Sequence, residues 1–371
     1  MTAQKKNTNW GLKQWTKFFR RNRTVNKKAS FTDYLVHACA FMSDAKRLII
    51  GCEDSKVHLL DIGQNSKLKS IDVGLAFHVV FGKKEYLNMK EIAISNNGSR
   101  MALIRESSRI VEVWDIFSGT KVFSTDLSAI DELPLHGFTQ AVSMSSDGNR
   151  VAVACSTGRS DVFKKHPANY IIDVETRTVS CFQGHQASIS EYPLDNRIND
   201  IGFSPDNRFL ISAADDGRVI VWSLDSSNDS YCGPQRLMEN QTDCFWRVCF
   251  SHSGKTFATG VAQNWPADES PSVQGLLVGQ NNKFKALMID HTWVDFLAFA
   301  PDDSKLVLAC REFSQSQNSK TQKVWVWSED KPIKHVNHDF GRILAISPDA
   351  SMIASIKDNS LIIWDLATLS N

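Results

Sequence analysis

The feature of this sequence that most constrains its fold is a short polar turn between apolar segments, which recurs seven times. It is clearest as MSSDGNRVAVA at 144–154 and FSPDNRFLISA at 203–213. Successive copies begin 47 to 59 residues apart, a period typical of repeat architectures. We therefore interpret the 371 residues as stacked repeats, because such units bury their apolar faces against their neighbours. The anchor residues are Ser43, Ser95, Ser145, Ser204, Ser251, Ala300 and Ser347.

Each repeat predicts a small antiparallel sheet. Asp, Asn, Pro and Gly in the turn favour a hairpin, and its flanks are as apolar as buried strands require. Each repeat then offers a third strand, as in RVIVWSL at 218–224 and SLIIWDL at 360–366. A more polar fourth strand follows in most repeats, as in TKVFST at 120–125. Four strands per unit at this period indicate an all-β propeller.

Over about residues 24–371 the chain resembles the WD-repeat family. Its matching dipeptides are Trp114-Asp115, Trp364-Asp365 and Gly184-His185. The resemblance implies a seven-bladed β-propeller of four-stranded blades. Other blades depart from the pattern: Leu60-Asp61 and Ile172-Asp173 stand where a WD pair is expected in the first and third blades, and the fifth blade has no Trp in its third strand.

The resemblance also implies a structural hydrogen-bonded network inside a blade, formed by a His, a strand Ser or Thr, a turn Asp and the Trp. The fourth blade offers His185, Ser212, Asp216 and Trp222 for this network. The seventh blade offers His338, Ser355, Asp358 and Trp364. We expect both tryptophans to be buried.

The seventh repeat has three strands, and an open edge strand is a liability. The resemblance implies a ring in which one blade is built from both termini. We expect residues 23–30 to supply the missing strand, so that residues 23–371 form one propeller domain. Residues 1–22 would then be a separate N-terminal arm.

The N-terminal arm is strongly basic. Residues 1–28 hold nine Lys or Arg and no acidic residue, which leaves the rest of the chain mildly acidic. The segment 9–21 predicts a short basic amphipathic helix. Such a helix docks on a protein or lies on an anionic membrane surface, and its lack of acids is also typical of a mitochondrial presequence. Its apolar face holds Leu12, Trp15, Phe18 and Phe19, and its basic face holds Lys13, Lys17, Arg20 and Arg21.

Long loops are the predicted binding sites. The resemblance places the connections between second and third strands, and those between blades, on one face. Loops presented by a rigid scaffold often carry function, and large aromatics suit interface hot spots. The long connections are 157–169, 263–273 and 312–323 within blades, and 75–90 and 186–197 between blades. The predicted partner-binding residues are Trp265, Tyr192, Phe163, Lys164, Lys165, Phe313, Trp246 and Trp293, the last two just before first strands.

Catalytic and metal motifs are absent from the sequence. It contains no GxSxG, HExxH, Walker loop or GxGxxG, and its eight Cys form no CxxC pair or zinc spacing. Cys52, Cys155 and Cys310 recur at one position of the repeat, which predicts buried free thiols. We therefore expect no enzymatic activity, no cofactor and no bound metal.

The predicted function is a protein–protein interaction scaffold. One alternative is a peripheral membrane protein anchored by the basic helix, and another is a propeller enzyme or ligand binder. Nucleic acid is not expected as a partner, because the phosphate-binding footprint would be small. Free thiols and the lack of a signal peptide or a membrane-spanning run predict a reducing, cytoplasmic location. Peripheral membrane attachment and organelle targeting are the alternatives.

Overall fold

The computed structural model describes fifteen segments of the chain. They form seven four-stranded antiparallel sheets and one two-stranded hairpin. None of the helices in these segments is long and apolar enough to cross a membrane. The described residues are 25–32, 34–74, 77–80, 83–130, 138–156, 167–185, 197–224, 231–235, 243–263, 275–280, 283–288, 292–312, 322–328, 331–336 and 338–366.

Six of the sheets are formed from consecutive strands. The first holds β2 (Val36–Phe41), β3 (Arg47–Cys52), β4 (Lys56–Asp61) and β5 (Ser66–Asp72). The second holds β8 (Met89–Ile94), β9 (Arg100–Arg105), β10 (Ile110–Asp115) and β11 (Lys121–Asp126), and the third holds β12 (Thr139–Met144), β13 (Arg150–Cys155), β14 (Ala168–Asp173) and β15 (Thr178–Gln183). The fourth holds β16 (Ile198–Phe203), β17 (Phe209–Ala214), β18 (Val219–Ser223) and β19 (Tyr231–Gln235). The fifth holds β20 (Asp243–Phe250), β21 (Thr256–Gln263), β22 (Gly275–Gln280) and β23 (Lys283–Met288), and the sixth holds β24 (Thr292–Phe299), β25 (Lys305–Glu312), β26 (Gln322–Ser328) and β27 (Lys331–Val336).

The seventh sheet combines both ends of the described chain. It holds β28 (Arg342–Ile346), β29 (Met352–Lys357), β30 (Ser360–Asp365) and β1 (Asn26–Phe31). The N-terminal strand β1 pairs antiparallel with β30, from Asn26 opposite Asp365 to Phe31 opposite Leu361. The strand that was predicted at 23–30 therefore spans 26–31 in the structure.

The sheets are arranged in a ring around their first strands. Each first strand contacts those of the neighbouring sheets, and β28 contacts both β24 and β2. Seven buried apolar clusters lie between neighbouring sheets, one at each junction. Burial is thus shared between neighbours, as expected of a repeat architecture.

The recurring turns are shaped by the hydroxyl of their anchor serine. Ser145 Oγ donates to Asp147 Oδ1 at 2.6 Å and accepts from the N–H of Arg150 at 2.8 Å. This buried hydroxyl is fully hydrogen-bonded, and it joins both arms of the hairpin. The same pair of bonds, with Asn or Asp as the acceptor, forms around Ser95, Ser204 and Ser347.

The first turn corrects one predicted anchor. Ser43 was expected at the anchor position, but Met42 occupies it, because the N–H of Met42 donates to the carbonyl oxygen of Arg47 at 2.9 Å. This is the bond that Ser95 makes with Arg100 in the second sheet. Met42 is buried in the apolar cluster between the first and second sheets, so packing replaces the serine hydroxyl here.

The predicted network of the fourth sheet is complete. Trp222 Nε1 donates to Ser212 Oγ at 3.0 Å, and His185 Nε2 lies 2.8 Å from the same oxygen. His185 Nδ1 lies 3.1 and 3.2 Å from the two carboxylate oxygens of Asp216. With the proton on Nδ1, every donor in the chain from Trp222 to Asp216 faces an acceptor. The prediction that Trp222 is buried is confirmed, at 3% exposure.

The network predicted in the seventh sheet forms only in part. Trp364 is buried and its Nε1 donates to Ser355 Oγ at 2.8 Å, but that hydroxyl donates to the carbonyl oxygen of Phe340. The His338 ring instead packs edge-on against Trp364, with ring centroids 4.5 Å apart. Asp358 is exposed in a two-residue turn, where its φ is 50°. This turn is too tight to direct the Asp358 carboxylate towards His338.

The structure changes or leaves open the remaining predictions about the loops. The between-blade segment 75–90 is not all loop, since β6 (Phe77–Val80) and β7 (Lys83–Tyr86) pair as a hairpin and β8 begins at Met89. The basic helix at 9–21 lies outside the described residues. So do Trp265, Tyr192, Phe163, Lys164, Lys165 and Phe313.

Candidate functional site

A β-bulge interrupts the start of every first strand. The bulge leaves one residue of the first strand without a partner on the second strand, and such residues are turned away from the regular pleat. All seven of these residues line one cavity of about 1160 Å³ at the centre of the ring. They are His37, Lys90, Gln140, Asn199, Trp246, Asp295 and Leu344.

We call this central cavity the channel, and the bulges lie near one end of it. Each first strand runs from the connection between blades towards its recurring turn, so residues at its start lie opposite the turns. The connections between second and third strands are at the same end, which we call the loop-rich end. The channel therefore presents its bulged side chains towards this end.

Two tryptophans meet at the loop-rich end. Trp246 and Trp293 have ring centroids 5.6 Å apart, and both side chains are partly exposed. The Arg311 guanidinium lies over the Trp293 ring, 5.5 Å from its centroid. The sequence placed both tryptophans before first strands, whereas the structure places them within β20 and β24 because these strands begin earlier.

The buried carboxylate of Asp295 holds this corner of the channel together. Arg311 Nε donates to its two oxygens at 2.9 and 2.8 Å, and Gln322 Nε2 donates to one of them. Arg247 Nε donates to the backbone carbonyl oxygen of Asp295 at 2.7 Å. Because these bonds hold the Arg311 side chain, the position of its guanidinium over Trp293 is set by contacts within the chain.

The channel wall carries more basic than acidic side chains. Its acids are Glu91 and Asp295, and its bases are Lys90, Arg197, Arg247, Arg311 and Arg342. Sequence reasoning missed this set, although one signal was available. Charged residues such as Lys90 and Arg247 interrupt otherwise apolar first strands, where a buried strand would not carry them without a reason.

Glu91 bridges two sheets. Its Oε2 accepts from the N–H of Val142 on the next first strand at 2.9 Å. Burial raises the pKa of Glu91 to about 7. Burial also lowers the pKa of the neighbouring Lys90 to about 8, while Lys90 Nζ donates to Thr139 O at 3.0 Å and to Gln140 Oε1 at 2.7 Å.

We expect this carboxyl group to make stability depend on pH. The pKa of Glu91 is higher in the folded chain than its ordinary value of 4.5. Its contribution to the stability of the fold is therefore fully present below pH 4.5 and is lost as the pH rises through 7. Lys90 stays protonated over that interval. As the pH rises from 4.5 to 7.5, the unfolding free energy of Glu91→Gln should increase by roughly 1–3 kcal/mol relative to that of the unsubstituted protein, as measured by urea unfolding.

The control for this experiment is Glu175→Gln, which changes a glutamate exposed on a turn. Its difference from the unsubstituted protein should be the same at both pH values. The glutamine at position 91 keeps an oxygen that accepts from Val142, so the sheet contact survives. A Glu91→Gln difference that did not change with pH would contradict the expected protonation of Glu91.

A group of potential metal ligands lies apart from the channel, in the first sheet. Cys52 ends β3, Asp54 lies in the following turn and His58 lies in β4. One possible ligand atom of each residue lies within 4.8 Å of the other two. Among the described residues, no other group of three or more His, Cys, Asp or Glu has this arrangement.

Comparison with known sequences finds WD repeats. A family model described as "WD domain, G-beta repeat" matches residues 176–223, which contain the complete network of the fourth sheet. Human "WD repeat-containing protein 36" is 37% identical over 87 residues, covering 23% of this chain and 9% of that protein. "Protein LST8 homolog" of Drosophila pseudoobscura pseudoobscura is 24% identical over 218 residues, covering 56% of this chain and 57% of that protein. The chain thus spans a small part of the first relative and little more than half of the second.

Comparison with solved structures agrees on the fold. The chain is similar to the crystal structure of the Myceliophteria thermophila Cps50 (Swd1) β-propeller domain, with a TM-score of 0.61. The likeness covers 92% of this chain and 99% of that one, at 10% sequence identity. At this identity, the likeness shows a shared β-propeller fold and nothing further.

Proposed function

We propose that this chain, a member of the WD-repeat propeller family, is a non-catalytic scaffold whose seven sheets act as the blades of one closed ring. The partner is a protein that docks at the loop-rich end of the channel. The observation that carries this proposal is the pair of partly exposed tryptophans, Trp246 and Trp293, with Arg311 held against them. Tryptophan and arginine are enriched among the residues that dominate binding energy at protein interfaces.

The opposite end of the ring is less suited to a partner. Its recurring turns are short, and several hydrogen-bond to the turn of the neighbouring sheet, so these polar groups are already used within the chain. A partner there would meet few side chains that project from the surface. The turn-to-turn bonds include Ser43 Oγ to Asn96 O, Ser146 Oγ to Pro205 O, and His252 N to Asp303 Oδ1.

The charge of the channel wall favours a partner segment that carries acidic side chains. Five basic and two acidic side chains line the wall; burial raises the pKa of Glu91 and lowers that of Lys90, so the basic excess remains when both charges weaken. Electrostatic complementarity of this kind directs encounter and sets the register of binding. Trp265 lies outside the described residues, in the segment between β21 and β22, and we keep it as a proposed second anchor.

The test replaces both tryptophans. Proteins that co-purify with the full chain are identified by mass spectrometry, and each is then titrated in purified form against the chain and its variants. Trp246→Ala with Trp293→Ala should weaken the direct partner by about 1–3 kcal/mol, because truncating an aromatic hot spot usually costs that much or more. The melting temperature should change little, since both rings are partly exposed.

The matched control is Phe117→Ala, which removes a 60% exposed aromatic ring from a turn at the opposite end of the ring. We expect this variant to bind the partner with unchanged affinity. If the double tryptophan variant bound every direct partner as tightly as the unsubstituted chain, docking at this end would be wrong. If partner binding instead required residues 1–21, the predicted basic helix would be the main contact. Flotation with anionic liposomes would then test the membrane alternative.

A further inference from the structure

The cluster in the first sheet has the chemistry of a metal site. Cys52, Asp54 and His58 offer a sulfur, an oxygen and a nitrogen within 4.8 Å of one another. We propose that these three residues bind one divalent transition-metal ion, with Zn²⁺ the best match to this mixed ligand set. Zn²⁺ is bound by Cys, His and carboxylate ligands, and a site with three protein ligands keeps a fourth position for water.

The orientation of His58 is the strongest sign of a ligand. Its side chain is 4% exposed, and its Nε2 makes no hydrogen bond with the described residues. The Asp54 carboxylate lies beside this nitrogen, with Oδ2 3.3 Å from Nε2. A buried ring nitrogen without a hydrogen bond is uncommon, and a bound cation would satisfy it.

The other ring nitrogen of His58 is already fixed. Nδ1 lies 2.8 Å from Ser70 Oγ on the neighbouring strand β5. With its proton on Nδ1, the histidine donates to Ser70 and directs the lone pair of Nε2 towards the cluster. Metal-binding histidines usually have their second nitrogen held in this way.

The turn between β3 and β4 sets the other two ligands. The N–H of Ser55, which has a φ of 60°, donates to the Cys52 carbonyl oxygen at 3.2 Å and closes the turn. Asp54 Oδ1 accepts from the N–H of Lys56 at 3.1 Å, which leaves Oδ2 facing His58. The Asp54 side chain is half exposed, so an ion and its water have a route from solvent.

Comparison with the fourth sheet explains why this aspartate is available. There the corresponding turn residue, Asp216, lies against His185 in the network that ends at Trp222. In the first sheet Leu60, paired with Leu48, occupies the position of that tryptophan and has no indole N–H to donate. The turn aspartate faces His58 of the third strand instead.

Binding requires a modest contraction and the loss of one proton. Ligand atoms around tetrahedral Zn²⁺ lie roughly 3.3–3.7 Å apart, given metal–ligand bonds of about 2.0–2.3 Å. Asp54 Oδ2 and His58 Nε2 are already within this range at 3.3 Å, so the contraction concerns their distances to Cys52 Sγ. The Sγ–H bond of Cys52 breaks, an Sγ–metal bond forms and the proton passes to solvent, with no change in oxidation state.

The test uses Co²⁺ as a spectroscopic substitute for Zn²⁺. The full-length protein, reduced and treated with a chelator, is titrated with Co²⁺ while near-ultraviolet thiolate charge transfer and the visible bands of tetrahedral cobalt are recorded. We expect saturation at one equivalent and displacement by Zn²⁺. Cys52→Ser and His58→Gln should abolish the charge-transfer band, and Asp54→Asn should weaken binding at least tenfold.

The matched control is Cys155→Ser, because Cys155 is a buried thiol at the equivalent end of β13. This variant should bind Co²⁺ like the unsubstituted protein. Asp54→Asn keeps an oxygen that accepts from Lys56 and changes an exposed group, so it decides the question if the two buried variants do not fold. The proposal is overturned if the unsubstituted protein shows no charge-transfer band that saturates at one equivalent of Co²⁺. It is also overturned if Asp54→Asn binds Co²⁺ as tightly as the unsubstituted protein.

Discussion

Deletion of residues 1–31 should destabilise the protein by on the order of 5 kcal/mol, whereas deletion of residues 1–21 should leave a cooperative fold. The first deletion removes β1 and exposes β30 as an open edge. It also removes Ala29 and Phe31 from the apolar cluster that joins the seventh sheet to the first. Each fully buried large apolar side chain contributes about 1.5–3 kcal/mol, and each hydrogen bond about 1 kcal/mol.

The shorter deletion is the matched control, because it ends before Val25, where the described contacts of the N-terminal segment begin. Stability is compared by urea unfolding followed by circular dichroism. The expected loss is comparable to the whole stability of a typical domain, so the longer deletion should be largely unfolded or aggregated at 37 °C. Equal unfolding midpoints for the two deletions would show that β1 does not hold the ring closed.

Local turn chemistry explains why so much of the fold was predictable. A serine followed two residues later by Asp or Asn forms its hydrogen bonds within one hairpin, so the turns at Ser145 and Ser204 needed no knowledge of distant contacts. The first turn differs because Met42 replaces the hydroxyl with packing against the second sheet. The role of such a side chain is hard to predict from the sequence of its own repeat, because it depends on contacts with another sheet.

The seventh sheet shows a second limit. The sequences around Trp222 and Trp364 are alike, so the same network was predicted for both. The difference lies in the length of the preceding turn. Five residues separate the paired Ala213 and Val219 in the fourth sheet, whereas two separate Lys357 and Ser360 in the seventh. A tight two-residue turn leaves its aspartate in solvent, and such a change in turn geometry has to be read from the strand register.

The channel was the least predictable part of the candidate site. Its lining depends on a bulge in each first strand, and the bulge turns one side chain towards the axis without a distinct sequence motif. Trp246 and Asp295 occupy equivalent bulges, yet one is a partly exposed aromatic and the other a buried acid. Only the ring brings together the seven strands that make these positions neighbours.

Trp222→Ala should be the most destabilising single substitution in the fourth sheet, at about 3–5 kcal/mol. The indole is 3% exposed and packs edge-on against Phe182, with ring centroids 5.9 Å apart. Its removal leaves a cavity between the third and fourth sheets and deletes one of the two side-chain N–H donors to Ser212. His185→Ala, which removes the middle of the network and leaves Asp216 with one partner fewer, should cost roughly 1–3 kcal/mol.

Two further variants separate packing from hydrogen bonding at this position. Trp222→Phe keeps most of the ring but loses the indole N–H. Because Asn169 Nδ2 still donates to Ser212 at 3.3 Å, the lost hydrogen bond should add only about 1 kcal/mol to the cost of repacking. Trp246→Ala removes a tryptophan that is partly exposed in the channel, and we expect a much smaller loss. Unfolding in urea is followed by circular dichroism, because tryptophan fluorescence changes with each variant. If Trp222→Ala and Trp246→Ala were equally destabilising, the network would not be what holds the fourth sheet together.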